Sequence, residues 1–212
     1  MALDVYVGSL TNYYARAAVE RNPDHLLPAI LTWRSGLSER LGDTIAGTLD
    51  WDETPGAPHF KGRLGWGGFA ALVLWAAYAE HPGLGRASLL PDDWEHDPAL
   101  ARSNAEGFRS RYSHLVGNVE LWLPVPFEFT FEGEDVDKRR IVVGSAATLV
   151  RQLADLNHAT WKATETDIAG WIREPSGDDE APLEPGARHA FAVMAGLARQ
   201  AVEHRLPVKL DF

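Results

Sequence analysis

The chain has 212 residues, no cysteine and a formal net charge of −10, and 45% of its residues are hydrophobic. This length and composition fit one globular domain, residues 1–212, with a sizeable core. The missing cysteine excludes disulfides, thiol catalysis and cysteine-bound zinc. The negative charge argues against nucleic acid or an anionic membrane as the partner, and it favours solubility or a protein partner with a basic surface.

The N-terminal quarter predicts a strand followed by two helices. Residues 3–7 alternate apolar and polar side chains, which is typical of a strand. Helical patterns follow over residues 12–21 and 26–41, and prolines and glycines mark residues 50–62 as a loop. The N-terminus carries Asp4 and no basic region, so it is unlike a signal peptide, and we expect a cytoplasmic protein.

The most apolar stretch, Phe69 to Ala79, predicts a central helix that is covered on every side. The uncharged run around it is shorter than the ~20 residues that a membrane-spanning helix needs. Residues 65–70 (GWGGFA) match the glycine pattern of dinucleotide-binding loops, but the preceding segment is polar and no acid follows about 20 residues later to hold a ribose. We therefore expect these glycines to pack against a neighbouring helix, and we predict no cofactor.

The pair Asp97-Pro98 predicts the start of a helix, because a capping side chain precedes proline at the first helical position. Apolar residues then recur at helical spacing, and this stripe comprises Ala101, Ala105, Phe108, Tyr112 and Leu115. The pattern predicts that the helix continues to about residue 115.

A hairpin is predicted after residue 119. Phe127, Phe129 and Phe131 alternate with polar residues, so we expect these rings to be buried on one face of a strand, with Glu128 and Glu132 exposed. A polar tip and a second extended apolar run follow, which completes the pattern of an antiparallel hairpin.

The rest of the chain predicts two helices and a final strand. Ser145 has the position of an N-cap before a helical pattern, and residues 191–202 form a second such pattern before a short strand at 208–212. Residues 172–188 are acidic and rich in proline and glycine, which predicts an exposed, mobile loop. The fold class is therefore α+β, a helix-rich single domain with a small mixed sheet including a central antiparallel hairpin, or else α/β with a small mixed sheet.

Two groups of residues are candidates for binding. Asp92, Asp93 and Glu95 surround Trp94, and they can form a solvated loop, a partner surface or a site for a hard cation. Since neither this cluster nor the histidines have a metal-binding spacing, we predict no metal site. Tyrosines beside a strand end can line a cleft or an interface, or can lie at the edge of the core, and this second group contains Tyr6, Tyr13 and Tyr14.

Three segments resemble known bacterial proteins. The opening LDVYVGSLTNYY and the segment IVVGSAATLVRQLADLNHATW resemble a group of uncharacterised bacterial proteins. The segment FAVMAGLARQAVEHRLPVKL is similar to the end of the YfbM-like proteins, whose function is unassigned. These segments contain no catalytic motif and carry over no functional residue. The resemblance implies a small cytosolic bacterial α+β protein of a kind often encoded near secreted toxins.

Two functional hypotheses follow. The first is a non-enzymatic cytosolic binding protein, of the immunity or antitoxin type, that captures a basic partner through its acidic surface. The second is a small hydrolase or transferase whose site is assembled only in the fold, with candidates Asp4, Tyr6, Arg63, His96 and His114. A cleft that brings an acid and a histidine together favours the enzyme, and a flat acidic patch favours the binding protein.

Overall fold

The computed structural model describes residues 3–17, 23–45, 47–173 and 182–212. These residues form one α+β domain, which confirms the predicted fold class. The strands are β1 (Asp4–Val7), β2 (Phe60–Arg63), β3 (Val119–Leu123), β4 (Phe131–Glu134), β5 (Arg140–Ser145) and β6 (Val208–Asp211). The α-helices are α1 (Leu10–Ala17), α2 (Pro23–Leu41), α3 (Trp66–Glu80), α4 (Pro98–Ser103), α5 (Ser113–Val116), α6 (Ala146–Ala159), α7 (Glu165–Trp171) and α8 (Leu183–His204).

The strands form one mixed sheet in the order β2-β1-β6-β3-β5-β4. Strands β3 and β5 pair in parallel, and the other neighbouring strands pair antiparallel. Helices α3 to α8 contribute to a hydrophobic core on one face, and α1 and α2 contribute to a second core on the other. The domain therefore has three layers. Among the described helices, none is long and apolar enough to cross a membrane.

Helix α3 lies at the centre of the larger core, as its apolar sequence predicts. Residues 68–78 are all buried, and the rings of Trp75 and Trp161 stack with their centroids 5.3 Å apart. Gly68 is buried against α8, where an added Cβ atom would lie 3.6 Å from the Ala190 Cβ. That is an ordinary van der Waals distance, so the predicted packing against a neighbouring helix is present at Gly68, but the contact does not require glycine.

Helix α1 is held at its first turn by a buried carboxylate from the loop before β2. Glu53 is 7% exposed, and it accepts hydrogen bonds from the backbone N–H groups of Leu10 at 3.0 Å and Thr11 at 2.8 Å. The Ser9 hydroxyl accepts a third bond, from the Asn12 N–H. Because first-turn N–H groups have no partner within the helix, these acceptors stabilise its start.

Strand β2 overlaps the last three residues of the predicted loop 50–62, whose residues 50–59 form no helix or strand. It is an edge strand that pairs antiparallel with β1, and its side chains at Lys61 and Arg63 are exposed. Charged residues are common on edge strands, so the segment lacks the hydrophobic pattern of an inner strand. A strand thus does precede residues 65–70, but it is not the buried parallel strand that a dinucleotide-binding loop requires.

The helix predicted from Asp97 to residue 115 is interrupted. Its start is confirmed, because the Asp97 side chain accepts a hydrogen bond from the Ala99 N–H and Pro98 is the first helical residue. The helix ends at Ser103, however, and Gly107 has a φ of +79°, which a continuing helix cannot contain. The predicted stripe is therefore wrong at its exposed members Ala101, Ala105 and Phe108, and right at the buried Tyr112 and Leu115.

The hairpin is present as the antiparallel pair β4–β5, in the middle of the chain and at one edge of the sheet. Glu128 and Glu132 are exposed, as predicted. The prediction that all three phenylalanine rings are buried on one face is wrong, because Phe129 is 38% exposed. Strand β4 begins only at residue 131. The carbonyl groups of residues 125 and 127 instead accept hydrogen bonds from the side chains of Ser145 and Thr148, at 2.7 Å each.

Residues 174–181 of the loop predicted over 172–188 lie outside the described residues. The last part of this loop is helical, because α8 begins at Leu183, and Leu183 is buried in the larger core. The final strand is confirmed as β6, and Ser145 is confirmed as the N-cap of α6, since its side chain accepts a hydrogen bond from the Thr148 N–H.

Candidate functional site

Polar side chains from three neighbouring strands meet on the face of the sheet that α1 covers. Strand register places Asp4 opposite Arg63 and Asp211, and Tyr6 opposite Lys61 and Lys209. We call these residues the polar sheet face: Asp4, Tyr6, Lys61, Arg63, Lys209 and Asp211. It unites three of the five residues proposed for an enzyme.

The exposed part of this face is neutralised by ion pairs. The Lys61 ammonium lies 3.1 Å from Asp4 and 2.8 Å from Asp211, and the Arg63 guanidinium lies 3.5 Å from Asp4. The hydrogen bond to Asp211 is the main reason that the pKa of Lys61 is raised. These opposite charges neutralise one another, so this part of the face has little net charge with which to attract a ligand.

Lys209 is the unusual residue of the polar sheet face. Its side chain is 3% exposed, and its ammonium lies 3.8 Å from a Glu120 carboxylate oxygen without a hydrogen bond. Burial lowers the pKa of Lys209, because a charged amine loses hydration there. The sequence contains a signal for this position, since Lys209 alternates with Val208 and Leu210 in the last strand.

The tyrosines proposed for binding fill the contact between α1 and the sheet. Tyr14 is buried, and its hydroxyl donates a hydrogen bond to Asp135 at 3.2 Å. Tyr13 is half-buried, donates to the Leu210 carbonyl at 3.4 Å, and packs its ring 5.5 Å from that of Tyr6. Burial raises the pKa of both hydroxyls, so they stay protonated. This is the edge-of-core arrangement rather than an open binding surface.

The proposed acidic cluster lies in a separate layer, next to α4. We call residues 89–97 the acidic loop. Asp92, Asp93 and Glu95 are exposed, and Trp94 is half-buried with one part packed on the larger core. Leu89 is 53% exposed in the same loop. The structure does not bring this loop together with Tyr13 and Tyr14, which belong to the core on the opposite side of the sheet.

The acidic loop is tied down at both ends. At its start Leu89 forms a bridge with Pro182, and the Leu183 N–H donates to the Ser88 carbonyl at 3.0 Å. At its end Asp97 caps α4 and accepts a hydrogen bond from the Tyr78 hydroxyl at 2.6 Å. Residues 94–96 form a 3-10 turn between these points. The loop therefore presents its side chains from a fixed backbone.

The two histidines proposed for an enzyme lie away from the polar sheet face. His96 is exposed in the acidic loop. His114 is fully buried, and its Nδ1 atom lies 3.2 Å from the Ser113 hydroxyl. Burial lowers the pKa of His114 to about 4. Such an imidazole is a weak proton acceptor at neutral pH, so this contact is poorly suited to activating Ser113 as a nucleophile.

In comparisons with known proteins, no family model, curated protein or solved structure matches the chain. Among the residues that the structure describes, no group of three or more His, Asp or Glu side chains could hold a metal ion.

Proposed function

We propose that this protein is a binding protein of the immunity or antitoxin type, which uses the acidic loop to capture a protein partner with a basic surface. The observation that carries the proposal is the position of Trp94, which packs partly on the core and partly faces solvent between exposed carboxylates. A tryptophan held in this way is a typical energetic centre of a protein interface.

The fixed backbone of the loop supports this role. Since both ends are hydrogen-bonded to other elements, little loop entropy is lost when a partner binds. Asp92, Asp93 and Glu95 add negative charge to a chain that already has a net charge of −10. Such charge speeds association with a basic partner at low salt, whereas the buried anchor governs dissociation.

Affinity capture from a lysate of the organism of origin, with quantitative mass spectrometry, tests the proposal. We expect the wild-type chain to retain a basic protein that Trp94→Ala loses, and Trp66→Ala is the matched control because Trp66 is exposed elsewhere.

With the purified partner, Trp94→Ala should weaken binding by about 2 kcal/mol or more, roughly 30-fold. Asp92→Asn combined with Asp93→Asn should slow association at low salt. If the protein is an antitoxin, co-expression of the wild-type chain should restore growth to cells that express the partner, whereas co-expression of Trp94→Ala should not.

Two results would contradict the proposal. One is that every retained protein binds wild type and Trp94→Ala equally. The other is a large fall in the melting temperature of the isolated Trp94→Ala variant, which would show that Trp94 is mainly a core residue. A hydrolase or transferase remains the alternative proposal, and the convergence of Asp4, Tyr6 and Arg63 on one face is the observation in its favour.

A further inference from the structure

A cleft of about 550 Å³ lies between the α4–α5 connection and the residues that precede β4. Ala105, Phe108 and Arg109 line it on one side, and Glu128, Phe129 and Thr130 line it on the other. This volume is in the range of small-molecule sites. We propose that this cleft, called the aromatic cleft below, binds a planar aromatic ligand that carries a negative charge.

Two exposed phenyl rings supply the aromatic surface. Phe108 is 44% exposed and Phe129 is 38% exposed, although both are large apolar side chains. Each ring is supported by a neighbour: Phe108 packs 5.2 Å from the His81 ring, and Phe129 packs 5.1 Å from the Phe127 ring. The rings are therefore held in place while they line the cleft. A flat ligand between them would remove apolar surface from water and gain ring–ring contacts.

The charged side chains of the cleft favour a ligand with a negative charge. Glu128 is ion-paired with Arg151, and this hydrogen-bonded contact lowers the pKa of the Glu128 carboxyl. Arg109 is exposed, and within the described part of the chain no carboxylate pairs with it. Of the two charged side chains that line the cleft, Arg109 is thus the one without an ion-pair partner, and its planar donors suit a carboxylate or sulfonate. The Glu80 carboxylate lies behind the lining, where it accepts hydrogen bonds from the Ser103 and Ser110 hydroxyls. An anion is favoured here even though the whole chain is acidic.

Serine hydroxyl groups also line the cleft. The Ser113 hydroxyl accepts a hydrogen bond from Gln152 Nε2 at 3.2 Å, and the Ser110 hydroxyl donates to Glu80 at 2.8 Å. These bonds fix both side chains at the lining of the cleft. A small set of fixed polar groups beside an apolar wall is typical of a ligand site.

A pair of related fluorescent probes tests both features of the proposal. The probe 8-anilinonaphthalene-1-sulfonate is an aromatic anion with a planar naphthalene ring, and N-phenyl-1-naphthylamine is the same ring system without the sulfonate. We expect the wild-type chain to bind the sulfonate at one saturable site, and to bind the neutral probe about tenfold more weakly, which corresponds to one charge-assisted contact. Phe108→Ala or Phe129→Ala should weaken both probes about tenfold.

The charge and the location are tested by further variants. Arg109→Gln should weaken the sulfonate to the affinity of the neutral probe and leave the neutral probe unchanged, whereas the controls Arg102→Gln and Phe212→Ala should change neither. Circular dichroism melts should match the wild type, because all these side chains are exposed. The proposal is overturned if the sulfonate does not saturate one site, if the three cleft variants bind it like wild type, or if the control variants lose it equally.

Discussion

The buried His114 should make the stability of this protein depend on pH below neutrality. In the unfolded chain the imidazole has its ordinary pKa of 6.5, whereas burial lowers the pKa in the folded state to about 4. Above pH 6.5 the ring is neutral in both states and has no effect. As the pH falls from 6.5 to 4, the unfolded chain binds a proton that the folded chain cannot accept, so stability is lost.

The size of this effect follows from the difference between the two pKa values. One pKa unit corresponds to about 1.4 kcal/mol, so between pH 7.5 and pH 4.5 the group should destabilise the fold by about 2.5 kcal/mol. The loss should level off below pH 4, where the folded state also becomes protonated.

Urea unfolding at pH 7.5, 6.0 and 4.5 measures this loss. Acidic groups elsewhere also titrate, so wild type is compared with His114→Asn, which lacks the imidazole and shares the other groups. The loss of stability between pH 7.5 and 4.5 should be about 2.5 kcal/mol smaller in the variant, and unchanged in the control His96→Asn, whose ring is exposed. Equal pH dependence in wild type and His114→Asn would refute the reasoning, as would an NMR titration that places the His114 pKa near 6.5.

Three further changes test the packing by urea unfolding at neutral pH. Trp75→Ala should cost about 3–5 kcal/mol through lost burial and a cavity, and a cost below about 1 kcal/mol would show that α3 is peripheral. Gly144→Ala places a Cβ 2.7 Å from His114 Cδ2 and should cost about 1–3 kcal/mol, whereas Gly133→Ala, with ordinary contacts, is its control. Asp97→Ala removes both the cap of α4 and the acceptor of the Tyr78 hydroxyl, and it should cost about 2–4 kcal/mol, whereas Asp97→Asn keeps the capping oxygen and should cost less.

Local signals in the sequence were sufficient for several elements. The alternation at residues 3–7, the apolar run of α3 and the caps at Asp97 and Ser145 each depend on neighbours within a few residues. Periodicity and capping are local properties of the backbone, so a sequence displays them directly. The same holds for the pairing of β4 with β5, because a short polar tip joins the two strands.

Other features depend on partners that are distant in the chain. Strand β2 is short and charged, and it forms because its backbone pairs with the edge of β1. The parallel pairing of β3 with β5 cannot be read from either strand alone. Phe129 fits the predicted alternation but stays exposed, since hydrogen bonds from Ser145 and Thr148 hold the residues before it outside the sheet.

The candidate sites divide in the same way. The sequence by itself determined the acidic loop, because its carboxylates and Trp94 are consecutive and the Asp97 cap that follows them is local. Only the tertiary structure decided that Asp4, Tyr6 and Arg63 share a face, that Tyr14 is buried, and that Phe108 and Phe129 line one cleft. These relations arise when sheet register and helix packing bring distant segments together. The alternation of side chains within one segment predicts which face is buried, but it does not show which other segment will cover that face.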